Sequence, residues 1–99
     1  MRLTPEEAGI IRHQVGRVFG AEARVWLFGS RADDTRRGGD IDLYVEYAPR
    51  VEDEFRRMLT LDDELQNRLG EQRIDIVVWA PGKPRQPIHD VARASGVPL

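Results

Sequence analysis

Asp40 and Asp42 stand at alternate positions of "DIDLYVEY", and Asp75 interrupts the apolar run "RIDIVVW". Residues i and i+2 of a strand project to one face, with Cα atoms roughly 6.5 Å apart. Two carboxylates held that close repel each other, so one pKa rises or cations are recruited. Divalent ions resolve the conflict: paired sites hold two ions ~3.5–4 Å apart, a spacing that neighbouring carboxylates bridge. An all-oxygen donor set suits magnesium or manganese rather than zinc. If the strands that carry them are neighbours, ~4.8 Å apart, Asp75 joins Asp40 and Asp42 in one cluster. Just upstream, Gly29-Ser30 breaks a strand. Glycine lets the backbone bend and approach a ligand, and backbone N–H groups at such a turn can cradle phosphate, with the Ser30 hydroxyl as a further donor. Arg31 has two readings, a forked phosphate contact and a surface salt bridge. Together, turn and acids could grip a nucleoside triphosphate, its phosphates on the turn and metals joining them to the carboxylates.

The elements that must hold these residues are legible from periodicity. "LTPEEAGIIRHQVGRVFG" opens with Thr4 as N-cap, Pro5 at the first helical position and Glu7 completing a capping box. Ala8, Ile11, Val15, Val18 and Phe19 form its apolar face, and Ile10 lies off that stripe. Arg24 to Phe28 reads as a short buried strand. "DIDLYVEY" is a second, with Ile41, Leu43 and Val45 on one face and Asp40, Asp42 and Tyr44 on the other. A helix from about Val51 to Leu69 carries a stripe of Phe55, Met58, Leu61, Leu65 and Leu69, with Leu59 at its margin. Arg73 to Trp79 is the third strand. "QPIHDVARASGVPL" closes the chain as a helix with Ile88, Val91 and Ala92 inward and Gly96 as cap. The order helix–strand–strand–helix–strand–helix predicts an α+β fold, a small mixed sheet backed by helices.

The chain of 99 residues is expected to form one domain, residues 1–99. At that length only ~60–70% of the unfolded surface is buried, so each core-facing element counts. The net charge of −2 argues against a dedicated nucleic-acid-binding protein. With no cysteine there is neither a disulfide framework nor thiolate chemistry. No apolar run approaches the ~20 residues that span a bilayer, and the acidic start lacks a signal peptide's apolar segment, so a cytoplasmic protein is expected. His13 and His89 read as surface residues, and Trp26 and Trp79 as core. Tyr44 either lines a nucleotide pocket or packs.

"GSRADDTRRGGDIDL" followed by "RIDIVV" resembles the minimal nucleotidyltransferases of the DNA polymerase beta-like superfamily: Gly-Ser, a loop of about ten residues, Asp-x-Asp, and a third Asp on a later strand. The resemblance runs from Arg24 to Trp79 and extends to the flanking helices. Members often carry "GSRARG" where this chain has "GSRADD", and Ser in place of Gly39. The loop is thus more acidic at Asp33 and Asp34, with Arg36 and Arg37 as offset. The resemblance implies transfer of a nucleoside monophosphate to a hydroxyl with two magnesium ions, manganese being possible. It gives Asp40, Asp42 and Asp75 as catalytic and metal residues and Gly29, Ser30 and Arg31 as nucleotide-binding. It further implies ATP, or another nucleoside triphosphate, as donor. Chains of this size are similar to antitoxins encoded beside a helical HEPN ribonuclease toxin, which they adenylylate on a tyrosine. Two rival readings are an antitoxin acting by binding alone and the catalytic subunit of an aminoglycoside-like small-molecule transferase. Neither a membrane nor direct nucleic-acid binding is expected.

Overall fold

The computed structural model describes residues 2–33, 35 and 39–99. Asp34, Arg36 and Arg37 of the polar loop lie outside the described residues. Helix α1 (Pro5–Phe19) begins as its sequence requires: the Glu7 N–H donates to Thr4 Oγ1 at 3.0 Å, and the Thr4 N–H donates to Glu7 Oε1 at 2.9 Å. Strand β1 (Arg24–Phe28) follows, then a 3-10 turn over Gly29–Ala32 and strand β2 (Ile41–Glu46). Helix α2 (Glu54–Leu69), strand β3 (Ile74–Trp79), helix α3 (Pro87–Ser95) and a two-residue strand β4 (Val97–Pro98) complete the order.

The four strands form one mixed sheet in the order β3-β2-β1-β4. β1 runs antiparallel to β2 and to β4, and β2 runs parallel to β3. The expected α+β architecture is therefore present, with β4 as an additional strand where the sequence suggested only the end of a helix. Pro98 stands opposite Trp26, and the next bond toward β1 is the Leu99 N–H donating to the Val25 carbonyl at 2.9 Å.

Alternation along the strands divides the side chains between two layers. Val25, Leu27, Ile41, Leu43 and Val45 pack with Ile11, Val15, Phe19, Leu61 and Leu65 beneath α1 and α2. On the opposite face a smaller cluster joins Trp26, Phe28, Tyr44 and Ala92, with Val77 and Trp79 against it, under α3. Trp26 is core, as expected, while Trp79 is only half-buried.

Several expectations need correction. α2 starts at Glu54, not Val51, and Phe55 is 72% exposed. Phe55 lies six residues before Leu61, which at 3.6 residues per turn rotates it about 120° from the buried stripe. Ile10 is half-buried and packs on the core, whereas Leu59 is exposed. α3 is turned from its expected orientation: Ile88 and Val91 are exposed, and His89 and Ala92 face inward. Small residues must face this part of the sheet, because a Cβ at Gly96 would stand 3.0 Å from the Trp26 Cβ and 2.3 Å from the Ala92 carbonyl. His89, expected on the surface, stacks at 5.9 Å from the Tyr44 ring, and its Nδ1 accepts the Gln86 N–H at 3.0 Å.

Candidate active site

The sheet face beneath α3 carries its side chains in rows set by strand register. Phe28, Asp42 and Asp75 align across β1, β2 and β3. The next row is Trp26, Tyr44 and Val77, and the third is Arg24, Glu46 and Trp79. α3 covers the middle row: Trp26 and Tyr44 are buried there. The first row lies toward the open end, where Asp75 is exposed and Asp42 half-buried.

Asp42 and Asp75 are thus direct partners on adjacent strands, which the sequence could state only as a condition. Asp40 precedes β2, and its step of the ladder is marked by the Ile41 N–H donating to the Arg73 carbonyl at 3.0 Å. Arg73 Nε stands 3.6 Å from Asp40 Oδ2. This arginine was given no role from sequence. Its one signal is its place two residues before Asp75, on the same face of the β3 path. Among the described residues no three of His, Cys, Asp and Glu converge to cage an ion. The three aspartates therefore share one end of the sheet without closing on a common point, since Asp40 leans to Arg73.

The turn is shaped around Asp42. Gly29 has φ +72°, in the left-handed region, and a Cβ there would lie 2.2 Å from Asp42 Oδ2 and 3.1 Å from its Cγ. Only a hydrogen atom fits between the turn and the carboxylate. The Gly-Ser turn and the first acid of the row are consequently one packed unit, although the chain separates them by the whole polar loop.

Arg31 is engaged by the N-terminal segment and by the loop before β3. Its Nη1 donates to the Arg2 carbonyl at 3.1 Å and its Nη2 to Gln72 Oε1 at 3.3 Å. In return Arg2 donates to the Arg31 carbonyl through its N–H at 2.8 Å, and to the Ser30 carbonyl through Nη2 at 3.2 Å. The guanidinium links the N-terminal segment to the loop before β3. Arg2 and Gln72 were not foreseen, because hydrogen-bond partners distant in the chain leave no sequence signal. In the loop, Asp33 accepts from the Thr35 N–H at 2.9 Å and from its hydroxyl at 2.6 Å.

Behind the acids lies a polar network that sequence reasoning missed. The Tyr44 hydroxyl donates to Glu46 Oε2 at 2.7 Å and accepts from Arg85 Nη1 at 2.5 Å. Arg93 Nη1 reaches both Glu46 oxygens at 2.8 and 3.0 Å. Burial, reinforced by the Glu46 hydrogen bond, pushes the Tyr44 phenol up to about 12. Of its two readings the packing one describes Tyr44, whose side chain is fully buried.

The donor chemistry at this end is that of a hard divalent cation: carboxylate oxygens only, with Asp42 and Asp75 as register partners and a glycine turn packed against Asp42. The site thus fits such an ion in ligand type, with Asp40 standing against Arg73.

Among curated proteins none matches the chain. Residues 21–97 match the family model described as polymerase beta, nucleotidyltransferase, a family that generally uses divalent metals. That span covers most of the chain, including the glycine turn and all three aspartates, and the protein belongs to the polymerase beta nucleotidyltransferase family.

Proposed function

We propose that this nucleotidyltransferase moves AMP from ATP to a tyrosine hydroxyl of a helical HEPN-type ribonuclease and thereby acts as its antitoxin in the cytoplasm. The observation that carries the reading is the row of Asp42 and Asp75 against the Gly29 turn, on the uncovered end of the sheet. Residues 1–99 serve as one catalytic domain, with the acceptor supplied by the partner. Among the described residues no helix is long and apolar enough to cross a membrane.

In this mechanism Gly29 and Ser30 hold the phosphates through backbone N–H groups, since no side chain caps the 3-10 turn. Asp40, Asp42 and Asp75 would hold two magnesium ions, or manganese in their place. When bound, such ions lower the pKa of the acceptor hydroxyl and neutralise the leaving pyrophosphate. Asp75, the exposed member of the row, accepts the hydroxyl proton. Arg31 supports the turn from behind through Arg2. The acceptor oxygen must come within ~3–3.5 Å of the α-phosphorus, so the partner's tyrosine sits on a segment that enters the open end.

The test incubates the protein with its genomic-neighbour protein, magnesium and ATP, and weighs the intact products. A partner heavier by one or more AMP units is expected. An unmodified partner, with the label on a small hydroxylated acceptor instead, overturns the reading. The Asp40–Arg73 contact favours one alternative, neutralisation by binding alone. Under it an Asp42→Asn variant would still silence the toxin.

A further inference from the structure

A second cleft opens between α1 and α2, on the sheet face opposite the aspartates, with a volume of about 350 Å³. That is within the ~300–1,000 Å³ of small-ligand sites. Arg17 of α1 and Arg56 and Arg57 of α2 line it. Arg57 is committed: its Nη1 donates to the Val18 carbonyl and its Nε to the Glu52 carbonyl, each at 2.6 Å. Among the described residues, neither Arg17 nor Arg56 has an ion-pair or hydrogen-bond partner for its guanidinium. The cleft also meets the N-terminus of α2, where Asp53 makes no side-chain capping bond to the first-turn N–H groups.

An independent feature points to a ligand. Gln14 lines the same cleft at 1% exposure, and its Oε1 is buried with no hydrogen-bond partner. A buried polar atom left unmet costs the full desolvation of that group. The terminal torsion of glutamine is soft, so the amide can turn toward a ligand at small cost. Glu64 supplies a second acceptor in the cleft wall. One part of the cleft therefore offers two uncommitted guanidinium groups and an uncapped helix N-terminus, and another offers acceptors that need donors.

We infer that the α1–α2 cleft binds a small phosphate monoester carrying hydroxyl groups, its phosphate on Arg17, Arg56 and the α2 N-terminus and its hydroxyls donating to Gln14 and Glu64. Phosphate suits two separate guanidinium groups because it presents several strong acceptor oxygens. The hydroxyls relieve the unmet amide oxygen, which a bare oxyanion leaves unsatisfied. The site is separate from the aspartate row, because the sheet lies between them.

The experiment is an NMR titration of amide resonances in the metal-free protein, with glycerol phosphate and with inorganic phosphate as probes. Saturable shifts are expected at the amides of Glu54–Arg57 and at the Gln14 side-chain amide, with glycerol phosphate the tighter probe. Arg17→Ala with Arg56→Ala should weaken it by about tenfold or more. Gln14→Leu, its fold verified by thermal melting, should abolish the preference for the ester and spare inorganic phosphate. The inference is overturned by the absence of saturable shifts, by shifts confined to the Gly29–Ser30 turn, by unchanged affinity in the double arginine variant, or by equal affinity for the two probes. Nucleotide transfer plays no part in the readout, so its failure and the failure of this site are distinguishable.

Discussion

Gly29 and Asp42 set the terms at the residue scale. A Cβ at Gly29 collides with Asp42 Oδ2 at 2.2 Å, and φ is +72°. The left-handed conformation alone costs a larger residue ~1–2 kcal/mol. Gly29→Ala should therefore lower stability by ~1–3 kcal/mol in urea unfolding and remove nucleotide transfer. With Asp42→Ala as background the collision disappears. The two changes should then be non-additive by ~1 kcal/mol or more, and strict additivity would sink the packed-unit description. Asp42→Asn, close to isosteric, should reduce transfer to background while the far-ultraviolet circular dichroism stays native. Wild-type turnover in that variant would remove the aspartate row from the chemistry. Tyr44 gives a pH prediction. Its folded pKa of about 12 lies above the ordinary value of 10.0, and Tyr47 is also raised, first by burial and then by its hydrogen bond to Glu54. Each phenol stabilises the fold fully below pH 10.0, where both states are protonated. As pH rises toward about 12, the unfolded chain ionises first and stability falls. Absorbance titration of phenolate should show no ionisation in the native protein at its ordinary midpoint. A normal titration with the fold intact contradicts the buried Tyr44–Glu46 pair.

At the scale of elements, α3 is held to the sheet by few contacts. Its inward side chains are His89 and Ala92, and Arg93 adds the two bonds to Glu46. Ile88 and Val91 contribute little burial to that contact. Glu46→Ala should loosen this helix first, leaving Arg93 and the Tyr44 hydroxyl without their acceptor. The cost is put at ~1–2 kcal/mol, because Arg93 is substantially exposed and its ion pair is screened. Hydrogen exchange should accelerate across Pro87–Ser95 while α1 and α2 keep their protection. Uniform acceleration over the whole chain would show instead that α3 opens only with global unfolding.

For the whole molecule, the uncovered side chains matter as much as the core. Phe55 and Leu59 stand one turn apart on α2, at 72% and 54% exposure. In the proposed complex they provide apolar surface for the helical partner, since isolated exposed phenylalanine gains nothing in water. Phe55→Glu should weaken co-purification with that partner by about tenfold or more. The thermal midpoint of the free chain should hardly move, because substitutions at exposed sites stay within about ±0.5 kcal/mol. Unchanged binding would place the interface elsewhere on the molecule. Asp42→Asn should still bind, which separates docking from transfer.

Periodicity and punctuation in the sequence determined the helices, the three longer strands and the candidate acids, because these depend on local spacing. Thr4 and Glu7 cap α1 as their types require, and Asp42 and Tyr44 share one sheet face because a strand alternates. Tertiary structure decided what depends on partners distant in the chain. The parallel register that sets Asp42 against Asp75 arises from packing both strands on one core, and neither strand encodes the other's position. The same holds for the Gly29–Asp42 contact, for Arg31 turned to Arg2 and Gln72, and for the Arg73 contact with Asp40. The orientation of α3 was misread because exposure on a short helix is fixed by what it lies against. Trp26 and Tyr44 leave room only for Ala92, Gly96 and a flat imidazole, so Ile88 and Val91 remain in water.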